Sequence, residues 1–230
     1  MSEYEFNPEV FSDKKSRFFV DGFEGNLELE TESAKLNTKD KIVGIICHQH
    51  PLHENSNMNN KVIFTIARAM QNVGVATVKF NYRGVGLSDG KYGNKLGEIE
   101  DLNSVYTWVK SVLPDHKIWL AGFSFGTSIV SQAAINIKPD LITLIAPPVS
   151  NLEYPEFNSA EVVEHSVNRI IVYADNDEVA ASDILPNWSE KLIVQTKLIN
   201  ISGAGHFFHG RLPELREALE NSMLGFTSIL

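Results

Sequence analysis

A serine set between two glycines, Gly122-Phe123-Ser124-Phe125-Gly126, joins the apolar run Ile118-Trp119-Leu120-Ala121 to a helix-forming stretch rich in small residues, Thr127 to Ala134. No other feature constrains the chain as much. A residue held at a sharp strand-to-helix corner takes strained backbone angles, and larger neighbours would block the close approach of main chain that the corner requires. The hydroxyl is thrust above the sheet, at the positive end of the following helix, which makes Ser124 a candidate nucleophile. The same glycines would also suit an ordinary close-packed turn. What separates the two readings is context: a strand before, a helix after, and groups further along that can activate a hydroxyl.

The rest of the chain supplies that context. Lys41 to Cys47 and Leu141 to Ala146 are continuous apolar runs of strand length, as in strands buried on both faces, and Val75 to Phe80, Arg169 to Tyr173 and Lys197 to Ile201 are further strands. Arg17 to Val20 and the strictly alternating Asn26 to Glu30 flank Asp21 to Gly25 and predict an antiparallel hairpin at a sheet edge. Helical spacing of apolar residues runs from Met58 to Asn72, ended by Gly74, and from Glu98 to Leu113, ended by Pro114. Two more helices are predicted over Ser182 to Val194 and over Leu212 to Leu224, the latter with Pro213 in its first turn. Pro147-Pro148 opens a stretch without periodicity that lasts to Asn168, and residues 1–15 form a polar lead-in expected to be exposed. Alternating strands and helices of this length define an α/β fold with a mostly parallel sheet, here one domain over residues 1–230. Ligands in such folds sit at the carboxyl ends of the strands.

Composition narrows the partners. Twenty Lys and Arg against 29 Asp and Glu give a net charge of -9, with no basic block, which argues against nucleic acid or an anionic membrane surface. Cys47 is the only cysteine, so no internal disulfide forms and a reducing compartment fits. Met1 is followed by the acidic Ser2-Glu3-Tyr4-Glu5, unlike a signal peptide, and no apolar run reaches the about 20 residues of a membrane span. A cytoplasmic protein is expected.

A serine is a weak nucleophile at neutral pH and needs a base to take its proton and a group to orient that base. Both are available just past strand ends. Asp175, Asp177 and Glu178 follow the strand ending at Tyr173, and His206 follows Ser202-Gly203-Ala204-Gly205 after the strand ending at Ile201. Asp177 is the preferred acid, three residues past Ala174 and two before the apolar Val179. His206 is the preferred base, and His209, deeper in the segment leading to the last helix, is the alternative. A tetrahedral intermediate needs backbone donors as well. One is the amide of Phe125. The other lies in the loop His48-Gln49-His50-Pro51-Leu52; Pro51 has no amide hydrogen, which leaves His50 or Gln49.

With His48 to Leu52, Asn60-Lys61-Val62, Phe80 to Ser88, Gly122 to Gly126 and His206 to Leu212 taken together, the chain resembles the α/β-hydrolase superfamily. Within it, it is similar to the small, lidless bacterial serine hydrolases that carry a His-x-His-Pro-Leu loop. The resemblance implies the α/β-hydrolase fold, an eight-stranded, mostly parallel sheet with helices on both faces. It also implies the catalytic roles of Ser124, Asp177 and His206 and says little about substrate. That apparatus suits hydrolysis of an acyl ester or thioester without a cofactor, and the stretch between Ala146 and Asn168, too short for a large lid, suits small acyl groups. The chain departs from the pattern at Ala174, where many relatives have glycine, and at His53-Glu54-Asn55, where a pair of glycines is common.

Other readings compete for some of these residues. His48, His50, His53 and Glu54 could be read as metal ligands, although the resemblance already accounts for the loop. Cys47 ends a buried strand without a sharp turn and reads as core, and Gly84-Val85-Gly86 reads as a turn because no helix starts directly after it. Phe123, Phe125, Phe207 and Phe208 are candidates for an acyl-binding wall. An acyltransferase or peptidase would use the same serine, and a silent binding or regulatory module could keep the fold alone.

Overall fold

A computed structural model describes residues 8–12, 14–36, 41–149, 151, 153–163, 167–180, 182–192 and 196–227. In chain order the elements are β1 (Ser16–Gly22), β2 (Gly25–Glu32), β3 (Ile42–Cys47), α1 (Lys61–Asn72), β4 (Ala76–Phe80), α2 (Leu96–Val112), β5 (Lys117–Phe123), α3 (Phe125–Ile137), β6 (Leu141–Ile145), α4 (Ala160–Val163), β7 (Arg169–Ala174), α5 (Leu185–Ser189), β8 (Thr196–Ile201) and α6 (Leu212–Thr227). The eight strands form one sheet in the order β1-β2-β4-β3-β5-β6-β7-β8. β2 pairs antiparallel with β1 and with β4, and every pairing from β4 through β8 is parallel.

The continuous apolar strands are explained by a core on each side of the sheet. Along β3, Val43, Ile45 and Cys47 face the cluster that holds Leu102 and Val105 of α2 and Ile129 of α3, while Ile42 and Ile46 face Ile63 and Ile66 of α1 and Leu219 of α6. β5 alternates in the same way, with Leu120 on the first side and Trp119 and Phe123 on the second. Each fully buried Val, Leu, Ile or Phe contributes about 1.5–3 kcal/mol by leaving water, so these strands anchor the fold.

Two polar networks fix the ends of the elements. Asn60 caps α1 by accepting the Val62 amide at 2.8 Å, and the Met58 amide instead donates to Asn81 Oδ1 at 2.8 Å. The helix expected from Met58 therefore begins at Lys61. Asn81 Nδ2 donates to Glu28 Oε2 at 2.7 Å, and Ser88 Oγ donates to the Asn81 carbonyl at 2.7 Å, so the glycine-rich loop after β4 is tied back to β2. Beside it Arg83, 3% exposed, donates from Nε to Asp101 Oδ1 at 2.8 Å and from its amide to Asp101 Oδ2 at 2.8 Å, and Glu100 lies 3.0 Å from Nη2. Burial opposes the guanidinium charge, but Asp101 outweighs it, and the pKa of Arg83 is raised.

Three expectations need correction. The lead-in is not wholly exposed: residues Pro8–Phe11 form a 3-10 turn, the Phe11 ring stacks on Trp108 at 6.1 Å, and Val10 packs against the core; residues 1–7 and 13 lie outside the described residues. The helix expected over Ser182 to Val194 is a 3-10 turn at Ser182–Ile184 followed by the five-residue α5. Pro186 fits only the start of a helix, and the buried Leu185, Trp188 and Leu192 satisfy the apolar spacing without a longer one. The end of that predicted helix, residues 193–194, lies outside the described residues. The aperiodic stretch after Pro148 includes the 3-10 turn Pro155–Asn158 and the four-residue α4. Among the described residues, no helix is long and apolar enough to cross a membrane.

Candidate active site

β5 ends at Phe123 and α3 starts at Phe125, leaving Ser124 alone at the corner with φ 52° and ψ -120°. Such angles cost a non-glycine residue about 1–3 kcal/mol and persist only where the surroundings impose them. Here the Ser124 amide donates to the Ile145 carbonyl at 2.9 Å, and its carbonyl accepts the Thr127 amide at 2.9 Å. The flanking glycines are required by contact. A Cβ on Gly122 would stand 2.3 Å from the Gly126 oxygen, and one on Gly126 would stand 2.4 Å from the Cys47 oxygen.

The loops after β7 and β8 bring the other two groups to this corner. His206 Nε2 lies 2.9 Å from Ser124 Oγ, and His206 Nδ1 lies 2.9 Å from Asp177 Oδ2 and 3.0 Å from Oδ1. His206 is 3% exposed, Asp177 7% and Ser124 9%, so the chain of groups is screened from water yet reachable at the serine. Asp177 Oδ1 also accepts the amides of Val179 and Ala180, each at 2.8 Å. Burial pushes the Asp177 carboxyl up, but the His206 hydrogen bond and these two amides outweigh it, and the group titrates below the ordinary aspartate range. An ionised carboxylate can only accept, so Nδ1 of His206 carries the ring hydrogen and Nε2 is left to accept from Ser124.

The competing candidates lie elsewhere. Asp175 is exposed and accepts from the Gly203 amide at 2.6 Å and Ser202 Oγ at 2.9 Å, joining the loops after β7 and β8. Glu178 is exposed, and His209 stacks on Phe207 at 5.9 Å on the surface. Of the four phenylalanines expected to line an acyl wall, Phe123, Phe125 and Phe208 are buried in the core; only Phe207, 38% exposed, reaches the surface. Strand periodicity, not the site, is what places Phe123 there.

The loop after β3 abuts the start of α3. The His50 ring meets the Phe125 ring at 4.8 Å, and Gly126 lies so close to the Cys47 and His48 carbonyls that an added Cβ would stand 2.4 Å and 2.7 Å from them. His50 and Ser124 line one cleft, and among the described residues the amides of Phe125 and His50 have no hydrogen-bond acceptor. The three loop histidines do not converge. His48 is fully buried, with Nδ1 2.7 Å from the Gln49 carbonyl and Nε2 accepting the Tyr82 amide at 3.3 Å; His50 Nδ1 accepts the Leu52 amide at 3.2 Å.

Burial holds His48 neutral, down to a pKa of about 3. The unfolded chain binds a proton there near pH ~6.5, so stability is expected to fall as pH drops from that value toward about 3. Urea midpoints measured over this window should decline more steeply for the wild type than for His48→Gln, which has no imidazole to titrate. Parallel declines would remove His48 from the account.

Ser124 opens into a cleft of about 270 Å³. Leu52, Pro148 and Val179 give it apolar walls, and His50, His53, Asn151, Glu153 and Tyr154 give it polar ones. Pro148, Asn151, Glu153 and Tyr154 come from the aperiodic segment after β6, where spacing carries no signal; proximity to Pro147-Pro148, which ends a strand at the same rim, was the available clue.

A mostly parallel sheet with a serine at the corner after its central strand, and a histidine and aspartate delivered by the next strand ends, defines the α/β-hydrolase class. The family described as alpha/beta hydrolase fold matches residues 45–163. The chain belongs to that family. An alpha-beta serine hydrolase homologue from Coxiella burnetii is similar in structure, with TM-score 0.83 and 40% identity over 90% of this chain and 96% of that one. XC6422 from Xanthomonas campestris, described as a serine hydrolase without lid, matches with TM-score 0.81 and 30% identity over 94% of this chain and 95% of its own. The uncharacterized protein RP471 of Rickettsia prowazekii is 29% identical over 92% of this chain and 90% of its length.

Proposed function

We propose that the protein is a serine hydrolase that cleaves small acyl esters or thioesters through an acyl-enzyme. The observation that carries this reading is the unbroken hydrogen-bonded line from Ser124 Oγ through His206 to Asp177. Ser124 Oγ attacks the acyl carbon while its proton passes to His206 Nε2. The carbonyl oxygen becomes an oxyanion held by the amides of Phe125 and His50. His206 then gives the proton to the departing alcohol or thiol, leaving an ester on Ser124. Water attacks that ester, its proton goes to His206 and on to Ser124, and the acid departs. Asp177 stays ionised and holds the imidazole in the tautomer that each step needs.

The cleft of about 270 Å³ lies at the small end for a ligand pocket, which supports a short acyl group. Across p-nitrophenyl esters from acetate to decanoate, kcat/KM is expected to peak at butyrate or below. A maximum at octanoate or decanoate would overturn the size argument. The test of the chemistry is covalent capture: a fluorophosphonate should add one phosphonyl group, mapped by mass spectrometry to Ser124. Absence of labelling together with absence of turnover would favour a binding module that keeps the fold without the reaction.

A further inference from the structure

We propose that the cleft selects substrates bearing a cationic group, a protonated amine or quaternary ammonium, and that Glu153 is the residue that recognises it. The inference rests on the hydrolase reading of the same site and adds the charge of its substrate.

Glu153 is exposed on the cleft wall that faces Ser124, and among the described residues its carboxylate has no ion pair or hydrogen bond. The nearest cation is already engaged. Lys95 Nζ bonds the backbone carbonyl of Glu153 at 2.7 Å and the carboxylate of Glu156 at 3.2 Å and 3.3 Å, and it sits 5.1 Å over the Tyr154 ring. The lysine thus fixes the position of Glu153 through the main chain while Glu156 takes its charge. The remaining walls are His50, His53, Asn151, Tyr154 and apolar side chains, so among the described residues Glu153 is the one carboxylate lining the cleft and no Lys or Arg lines it.

Its field reaches the reacting corner. Burial and His53 hold the His50 imidazole below its ordinary range, and Glu153 works against them; burial pushes the Tyr154 hydroxyl up to about 12, with Glu153 adding to it. In the proposed mechanism the His50 amide holds the developing oxyanion, and Glu153 lines the same cleft. A negative charge on that wall works against the developing oxyanion of a neutral ester and repels an anionic substrate. A positive charge on the substrate, placed against Glu153, removes the penalty and adds an attraction.

Matched ester pairs test this. Butyrylcholine against 3,3-dimethylbutyl butyrate places the charge on the alcohol side. The p-nitrophenyl ester of 4-(trimethylammonio)butyrate against that of 5,5-dimethylhexanoate places it on the acyl side. The wild type is expected to favour the cationic member of at least one pair by about fivefold in kcat/KM, the upper range for one exposed charge pair. In Glu153→Gln the ratio should fall close to unity, in Glu153→Lys it should invert, and added salt should shrink it in the wild type. Equal rates within both pairs, or a preference that survives Glu153→Gln, would overturn the proposal while turnover of the neutral esters leaves the hydrolase reading standing. Failure to hydrolyse any of the four esters, with no phosphonate on Ser124, would sink both.

Discussion

Ser124→Ala is expected to lower kcat/KM for p-nitrophenyl butyrate by roughly 10⁴-fold or more, with the circular dichroism spectrum unchanged. Alanine keeps the Cβ that the corner at φ 52° already accommodates, so the backbone strain and the packing of β5 against α3 are the same in both proteins. On the proposed mechanism, what disappears is the atom that forms the acyl-enzyme, while the amides of Phe125 and His50 still polarise a bound carbonyl and slow attack by water sets the residual rate. His206→Ala should fall to a similar level, and the double variant should be little worse than either, because the two side chains act on one step. A loss under about tenfold in Ser124→Ala would remove the serine from the mechanism, since tenfold is only about 1.4 kcal/mol of barrier and losing the nucleophile costs several times that.

Asp101→Ala is expected to destabilise the fold by about 3–5 kcal/mol, read from urea denaturation with activity measured on the folded fraction. Asp101 is fully buried and accepts from both Nε and the amide of Arg83, itself 3% exposed. Its removal leaves a guanidinium in the interior with only the half-exposed Glu24 and Glu100 nearby, and a main-chain amide without its acceptor. An uncompensated buried charge of that kind consumes a large share of the about 5–15 kcal/mol that separates folded from unfolded domains. Replacing both partners, Arg83→Met with Asp101→Leu, should recover most of the loss, because the cost lies in the orphaned charge rather than in the missing pair. A single variant that loses less than about 1 kcal/mol would show that water or the outer carboxylates already solvate Arg83.

The strands and the corner were legible in the sequence because the physics that makes them is local. An apolar run of six residues can be satisfied only between two cores, as β3 is, and glycines two residues either side of a serine mark a place where main chain touches main chain. Asp177 and His206 were legible because chain order and strand ends put them on one rim. The rest depends on contacts between distant segments. Nothing near Phe11 indicates that Trp108 will stack on it, and nothing near His48 indicates that the Tyr82 amide will occupy its Nε2. Asp175 and Asp177 have the same chemistry two residues apart, and only the direction of the loop sends one to Gly203 and the other to His206. The cleft walls were the least legible part. Asn151, Glu153 and Tyr154 are held by side-chain and main-chain bonds in a stretch without helical or strand period, so no pattern of spacing announces them.

The segment carrying those walls leaves the frame after β6. Among the described residues it is tied back by Lys95 to Glu156 and to the Glu153 carbonyl, by Ser128 to Glu156, by Trp188 Nε1 to the Phe157 carbonyl at 2.9 Å, by Arg169 to the Val162 carbonyl at 2.7 Å, and by the burial of Val149, Tyr154 and Phe157. The hydrogen-bonded line from Ser124 through His206 to Asp177 has no member in this segment, and the segment's bond to the strands that position that line comes from its far end, where Arg169 of β7 holds the Val162 carbonyl. Chain length can be added between Val149 and Glu153, upstream of those ties, at little cost to the scaffold, since closing a longer loop costs only about 0.6 kcal/mol per doubling. This makes the excursion a graftable module. Exchanging it for a longer stretch from another member of the family would roof the serine and alter which molecules reach it, while the machinery beneath is inherited intact.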